Sequence, residues 1–217
     1  VGPGNELGEP ISMEQVDEQI FGYVLLNDWS ARDIQKWEYV PLGPFGAKNF
    51  ASSISTWVVT PDALEPFRCP TSVGVQDDPE PLPYLRDPNY SSYNIQLEVA
   101  LRSSAFEHTR ISLSNFANMY WNPRQQLVHH SVTGCNMQPG DLLGSGTISG
   151  QTDDAYGSML ELTWKGSRPL TMPDGTERKF LKDGDDVVMT GWCEGDGYIV
   201  GFGAVTGVVT PAVLPAC

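Results

Sequence analysis

Basic residues are scarce in this chain of 217 amino acids, where 13 lysines and arginines stand against 27 aspartates and glutamates, a formal net charge of −14. Such an excess of anions repels phosphate backbones and anionic lipid surfaces, so neither nucleic acid nor a membrane is expected as a partner. A small-molecule substrate stays open, because local positive charge in a cleft can outweigh the global sign. Cys69, Cys135, Cys193 and Cys217 are widely scattered and no CxxC pair exists. That removes a thiolate zinc site and a thioredoxin-like redox motif. Nothing else points to secretion, so a cytoplasmic chain with reduced thiols is expected. Long apolar runs are missing, and no signal-peptide pattern opens the chain. GxSxG, HExxH and GxxxxGK[ST] are all absent, which leaves a serine-hydrolase elbow, a zincin and a P-loop without support. An initiator Met is also lacking. The chain opens at Val1 in the turn-rich string VGPGNELGEP, which reads as a piece of a longer protein or a processed chain.

What is present is strand-like sequence cut by turns. Residues Phe21 to Leu26 form a short apolar run expected to be a buried strand. Ser30-Ala31-Arg32-Asp33 has the shape of a capping box with Asp in place of Glu, predicting a helix from Ala31 to Tyr39 that Pro41 stops. A loop follows, then a second apolar stretch from Ile54 to Val59. Residues 61–88, dense in proline and acid, read as an excursion over the surface. Residues 93–102 alternate as a half-buried strand does. The segment LSNFANMYWNPRQQLVHHSV reads as a second helix with Pro123 at an end or a kink. Beyond it, SMLELTW, DVVMTGW and YIVGFGAVTGVV read as short strands between glycine-rich turns. Together these predict a mainly β (α+β) fold, a mixed β-roll or barrel with a few short helices.

One stretch, NDWSARDIQKWEYVPLGPFGAKNF, carries more than fold information. Asp28 ends a strand-like run, where a carboxylate is costly unless it is paired or binds metal. Arg32, Gln35, Lys36 and Tyr39 fall at i, i+3, i+4 and i+7, so they share one helix face. A guanidinium, an amide and a phenol in one stripe suit a carboxylate or β-diketone. On periodicity alone a solvated polar face, with Asp28 opening the helix, is the preferred reading. On pattern alone Lys48 reads as an exposed loop lysine, and Glu161 as a solvent-facing glutamate. His129 and His130 are read as structural.

NDWSARDIQKWEYVPLGPF, MYWNPRQQLVHHSVTGCNMQPGDLLGSGTISG and GSMLELTWKG resemble the fumarylacetoacetate hydrolase family, eukaryotic-type branch, and the similarity runs from Val1 to about Pro215. The resemblance implies that residues 1–217 are the C-terminal part of that family's catalytic domain, without the N-terminal domain and the start of the catalytic one. It implies a divalent cation, Mg2+ or Ca2+, held by carboxylates at the mouth of a β-roll. Asp28 matches one metal ligand. Ser52 matches a position near the metal where threonine is usual, and Ala51 one where glycine is usual. The Lys48 ammonium cannot ligate a cation, which leaves its backbone carbonyl. Arg32, Gln35 and Lys48 match residues around the developing negative charge. Tyr39 and Thr147 match substrate contacts, and Glu161 the carboxylate behind a catalytic histidine that belongs upstream.

The activity implied is hydrolysis of the carbon–carbon bond of 4-fumarylacetoacetate to fumarate and acetoacetate, the last step of tyrosine and phenylalanine catabolism, by a homodimer. Two alternatives stand beside it. One is a sister reaction on the same scaffold, acylpyruvate hydrolysis or oxaloacetate decarboxylation. The other is a non-catalytic piece that serves only in assembly.

Overall fold

A computed structural model describes residues 1–213; Cys217 lies outside them. The mainly β, α+β expectation holds, and the sheet is open, with no closed barrel among the described residues. Every strand pairing there is antiparallel.

The chain first lays down β1 (Leu26–Asp28), α1 (Arg32–Leu42) and β2 (Ser52–Ile54). β1 and β2 pair with Leu26 opposite Ile54 and Asp28 opposite Ser52. Of the apolar run expected as one strand from Phe21, only Tyr23 makes an isolated bridge, to Val59, before β1 begins at Leu26. Leu25 alone in that run is fully buried, and Phe21 is exposed. The capping expectation for α1 is corrected. Ala31 holds the N-cap position and no side chain caps the helix. The Ser30 hydroxyl is engaged elsewhere, donating to the Asp28 carbonyl and accepting from the Lys48 ammonium. Pro41 acts as predicted through its neighbour: Val40 is pushed to φ −114°, ψ 124°, which interrupts the helix after Tyr39.

Next come α2 (Pro61–Leu64), β3 (Arg68–Cys69) and β4 (Ser92–Tyr93), with β3 and β4 paired. The segment between residues 61 and 88 is less superficial than expected, because Leu64, Phe67 and Leu85 are buried core residues. The main sheet has the order β10-β9-β5-β6. It is built from β5 (Gln96–Ser103), β6 (Phe106–Asn115), β9 (Asp186–Gly195) and β10 (Tyr198–Val208). The β9–β10 hairpin turns at Asp196-Gly197, where Gly197 has φ +78°. Such a left-handed conformation is open to glycine at little cost.

Two expectations fail between β6 and β9. The second helix is shorter than predicted, because its first residues belong to β6. α3 covers Pro123–Ser131, with Pro123 at its first turn and Asn122 and Gln125 forming a reciprocal capping box. The stretch SMLELTW is not a strand. Met159–Leu162 form the short helix α4, because the Ser158 hydroxyl accepts the Glu161 amide and starts a helical turn. Trp164 and Lys165 then adopt positive φ and reverse the chain. β7 (Leu170–Thr171) and β8 (Glu177–Arg178) pair before the chain enters β9.

The core that carries β1 lies under the main sheet, where Leu25, Val59, Phe116, Phe202 and Val205 pack together. Trp29, next to Asp28, fixes the end of β1. Its indole N–H donates to the Ser53 hydroxyl at 3.0 Å, and its ring lies against Gly207 of β10. A Cβ at Gly207 would come within 2.6 Å of that ring, so only glycine allows the approach. Among the described residues the three cysteines are free, and no helix is long and apolar enough to cross a membrane.

Candidate functional site

The unit β1–α1–loop–β2 brings chemistry-bearing side chains to one cleft of ≈ 1440 Å³. Asp28, Arg32, Gln35, Tyr39, Lys48 and Thr147 all line it. The helix stripe therefore faces the cleft, with the Arg32 guanidinium donating to the Gln35 side-chain oxygen at 3.0 Å. The loop after α1 returns Lys48 to the end of β1, where its ammonium lies 2.7 Å from an Asp28 carboxylate oxygen and 2.7 Å from the Ser30 hydroxyl. The Lys48 side chain is 28% exposed and that of Asp28 51%. The lining carries four cations, Arg32, Lys36, Lys48 and Lys165, and four anions, Asp28, Asp33, Glu98 and Asp141. The cleft is thus balanced in formal charge although the whole chain is strongly acidic.

Two of the eight candidate residues stand off the lining. Ser52 is exposed directly across from Asp28 in the strand pair, so the two side chains share a face. Glu161 sits behind the wall, while its neighbour Ser158 reaches the cleft. One Glu161 carboxylate oxygen accepts from the Ser149 hydroxyl at 2.8 Å, the other from the Ser158 hydroxyl at 2.6 Å. Sequence reasoning missed both serines. Ser158-x-x-Glu161 does carry a signal, a helix-start pattern outweighed by the alternation of the leucines. His129 and His130 are away from the lining, with His129 stacked on Tyr84 and its Nδ1 2.9 Å from the tyrosine hydroxyl.

Residues 4–210 match the family model described as Fumarylacetoacetate (FAA) hydrolase C-terminal. The chain belongs to the fumarylacetoacetate hydrolase family. It is 56% identical to human fumarylacetoacetase over 217 residues, covering 100% of this chain and 51% of that protein. It is also 56% identical to the Arabidopsis thaliana fumarylacetoacetase over 213 residues, or 98% of this chain and 50% of the relative. Identity to the Caenorhabditis elegans fumarylacetoacetase is 51% over 214 residues, 97% of this chain and 50% of the relative. The chain spans about half the length of the curated relatives it matches.

In this fumarylacetoacetate hydrolase chain the donors at the end of β1 fit part of a hard-cation site. The Asp28 carboxylate and the Ser52 hydroxyl are oxygen donors on one face of a two-stranded ribbon. Among the described residues no three His, Cys, Asp or Glu side chains converge as a metal cluster.

The seat of Glu161 yields a direct expectation. Ser158→Ala removes both a helix cap and one of the two hydroxyls on the carboxylate, and should cost about 1 kcal/mol of stability by urea denaturation. Ser158→Thr, which keeps the hydroxyl, should restore most of it. Equal losses in the two variants would show that the cap contributes nothing.

Proposed function

We propose that this chain supplies the C-terminal part of the active site of a fumarylacetoacetase, which hydrolyses 4-fumarylacetoacetate to fumarate and acetoacetate at the end of tyrosine and phenylalanine breakdown. One observation carries the reading: Arg32, Gln35, Tyr39, Lys48 and Thr147 converge with Asp28 on a single cleft. The substrate is a dianionic diketone. Arg32 and Gln35, already hydrogen-bonded to each other, present a guanidinium and an amide suited to its carboxylate and keto oxygens. Tyr39 and Thr147 add hydroxyls along the wall. Hydrolysis places the hydroxyl of water on a carbonyl carbon, breaks the adjoining carbon–carbon bond, and leaves the bonding pair on the acetoacetate carbon, which takes a proton. The Lys48 ammonium would stabilise that developing charge. Glu161, held by two serine hydroxyls, would orient the general base.

Asp28 and Ser52, with the Lys48 backbone carbonyl, would hold part of the ligand set of a divalent cation, Mg2+ or Ca2+. That ion, when bound, supplies Lewis-acid polarisation of substrate oxygens. The assembly proposed is a cytoplasmic homodimer.

The test uses the full-length protein containing this segment. Loss of fumarylacetoacetate absorbance should be metal-dependent and much faster than turnover of acetylpyruvate; the reverse preference would assign the sister reaction. In Asp28→Ala, metal affinity by calorimetry and turnover should fall together by about tenfold or more. Near-normal metal binding would remove Asp28 from the site. Residues 1–217 alone, with a single carboxylate at the cation position, should show no turnover with or without Mg2+.

A further inference from the structure

We propose that Glu38 is a positioning residue, whose carboxylate holds the loop carrying Lys48 against the helix carrying Arg32, Gln35 and Tyr39. Three consecutive backbone amides of that loop donate to it. One Glu38 oxygen accepts from Phe45 N–H at 2.7 Å and Ala47 N–H at 2.8 Å, the other from Gly46 N–H at 3.0 Å. A Cβ at Gly46 would sit 3.4 Å from the carboxylate, in ordinary van der Waals contact with it. The loop is tied a second time at the start of α1, where Ala31 N–H donates to the Ala47 carbonyl at 3.0 Å. Inside the loop, the amides of Lys48 and Asn49 both donate to the Phe45 carbonyl. Ala47 is fully buried between these ties, and the next residue is Lys48.

The chemistry agrees with the geometry. The Ala47 amide foremost, and those of Phe45 and Gly46, hold the Glu38 carboxyl below its ordinary range against partial desolvation. An ionised carboxylate accepting several backbone N–H groups is a strong anchor. Without it the loop would be tied to the helix by the Gly43 N–H on the Tyr39 carbonyl and the Ala31 N–H on the Ala47 carbonyl, and the Lys48 ammonium would be held between Asp28 and Ser30 less firmly, by its own two contacts.

The role of Lys48 in turnover rests on the function proposed above, whereas the placement of the loop does not, so two readouts are needed in the full-length protein. First, Glu38→Ala should lower kcat by about tenfold or more with KM nearly unchanged. The double variant Glu38→Ala/Lys48→Met should then be no slower than Lys48→Met alone, because residues acting through one group are not additive. Second, acetylation of Lys48 by acetic anhydride, read by peptide mass spectrometry, should become several-fold faster in Glu38→Ala. This arm needs no turnover and decides the inference even if fumarylacetoacetate is not the substrate. Should Glu38→Ala fail to fold, Glu38→Gln, which keeps a single acceptor oxygen, is read in the same way. A folded variant with unchanged Lys48 labelling, or additive losses in the double variant, would overturn the proposal.

Discussion

Lys48→Met in the full-length protein should lower kcat by about 10²–10³-fold while leaving KM close to the parent value. Methionine keeps the length and the apolar stem of lysine but has no charge. The side chain is 28% exposed and its ammonium has two oxygen partners at 2.7 Å, so its position is defined rather than averaged over solvent. A charge held this way needs no rearrangement when negative charge develops on the leaving carbon. The same substitution frees the Asp28 carboxylate from an ammonium and should leave metal affinity equal or raised. That separates it from Asp28→Ala, in which affinity and turnover fall together. Steady-state kinetics and calorimetry on the two variants distinguish the roles, and a Lys48→Met effect confined to KM would mean that the ammonium binds substrate and transition state equally.

The largest effect on stability is expected at Arg178, which is not among the residues lining the cleft. Its guanidinium makes a bidentate pair with Asp185, Nε at 2.9 Å from one carboxylate oxygen and Nη2 at 3.0 Å from the other. Arg178 is 7% exposed and Asp185 1%. The pair ties β8 to the start of β9, and the guanidinium also lies over the Phe106 ring at 5.5 Å. Arg178→Leu leaves a carboxylate buried with the Lys182 amide as its one remaining partner among the described residues. Breaking a buried pair in this way costs about 3–5 kcal/mol. Replacing both partners by apolar residues should recover much of that loss, since it is the unpaired charge that is costly. Urea denaturation of the single and double variants checks this, and a loss below about 1 kcal/mol in the single variant would show that water reaches Asp185.

Elements that obey one local rule were legible in the sequence. Residues 93–102 showed alternation, and the structure has β4 ending at Tyr93 and β5 from Gln96, with a break at residues 94–95; the β9 and β10 stretches were marked off by glycine-rich turns, and both are strands. The polar stripe of α1 and its stop at Pro41 followed from helical period and proline stereochemistry. Two features were illegible for physical reasons. Four residues make one helical turn, too short for a 3.6-residue period to show, so the alternating leucines of SMLELTW imitated a strand. Ser30 had the right spacing for a helix cap, but Lys48, eighteen residues away in sequence, takes its hydroxyl. The same holds for the grip of Glu38 on its loop and of Ser149 on Glu161, which exist only once distant segments meet. As for the candidate site, periodicity alone favoured a solvated polar face; the family resemblance singled its residues out, and the structure places six of the eight around one cleft.

The unit running from Leu26 to Ile54 closes on itself through the pairing of β1 with β2, and six of the eight candidate residues lie within it. Short-range ties hold this unit, the β1–β2 pairing and the Lys48–Asp28 contact among them, whereas Arg178 and Asp185 form a separate pair at the β8–β9 junction. Damage to the two regions should look different in solution. A lesion at Arg178 should reduce how many molecules are competent while each survivor works at full speed, whereas one at Lys48 should slow every molecule in an intact population. Counting active sites with a tight-binding inhibitor, alongside bulk activity, would tell a protein in short supply from one that is present and slow.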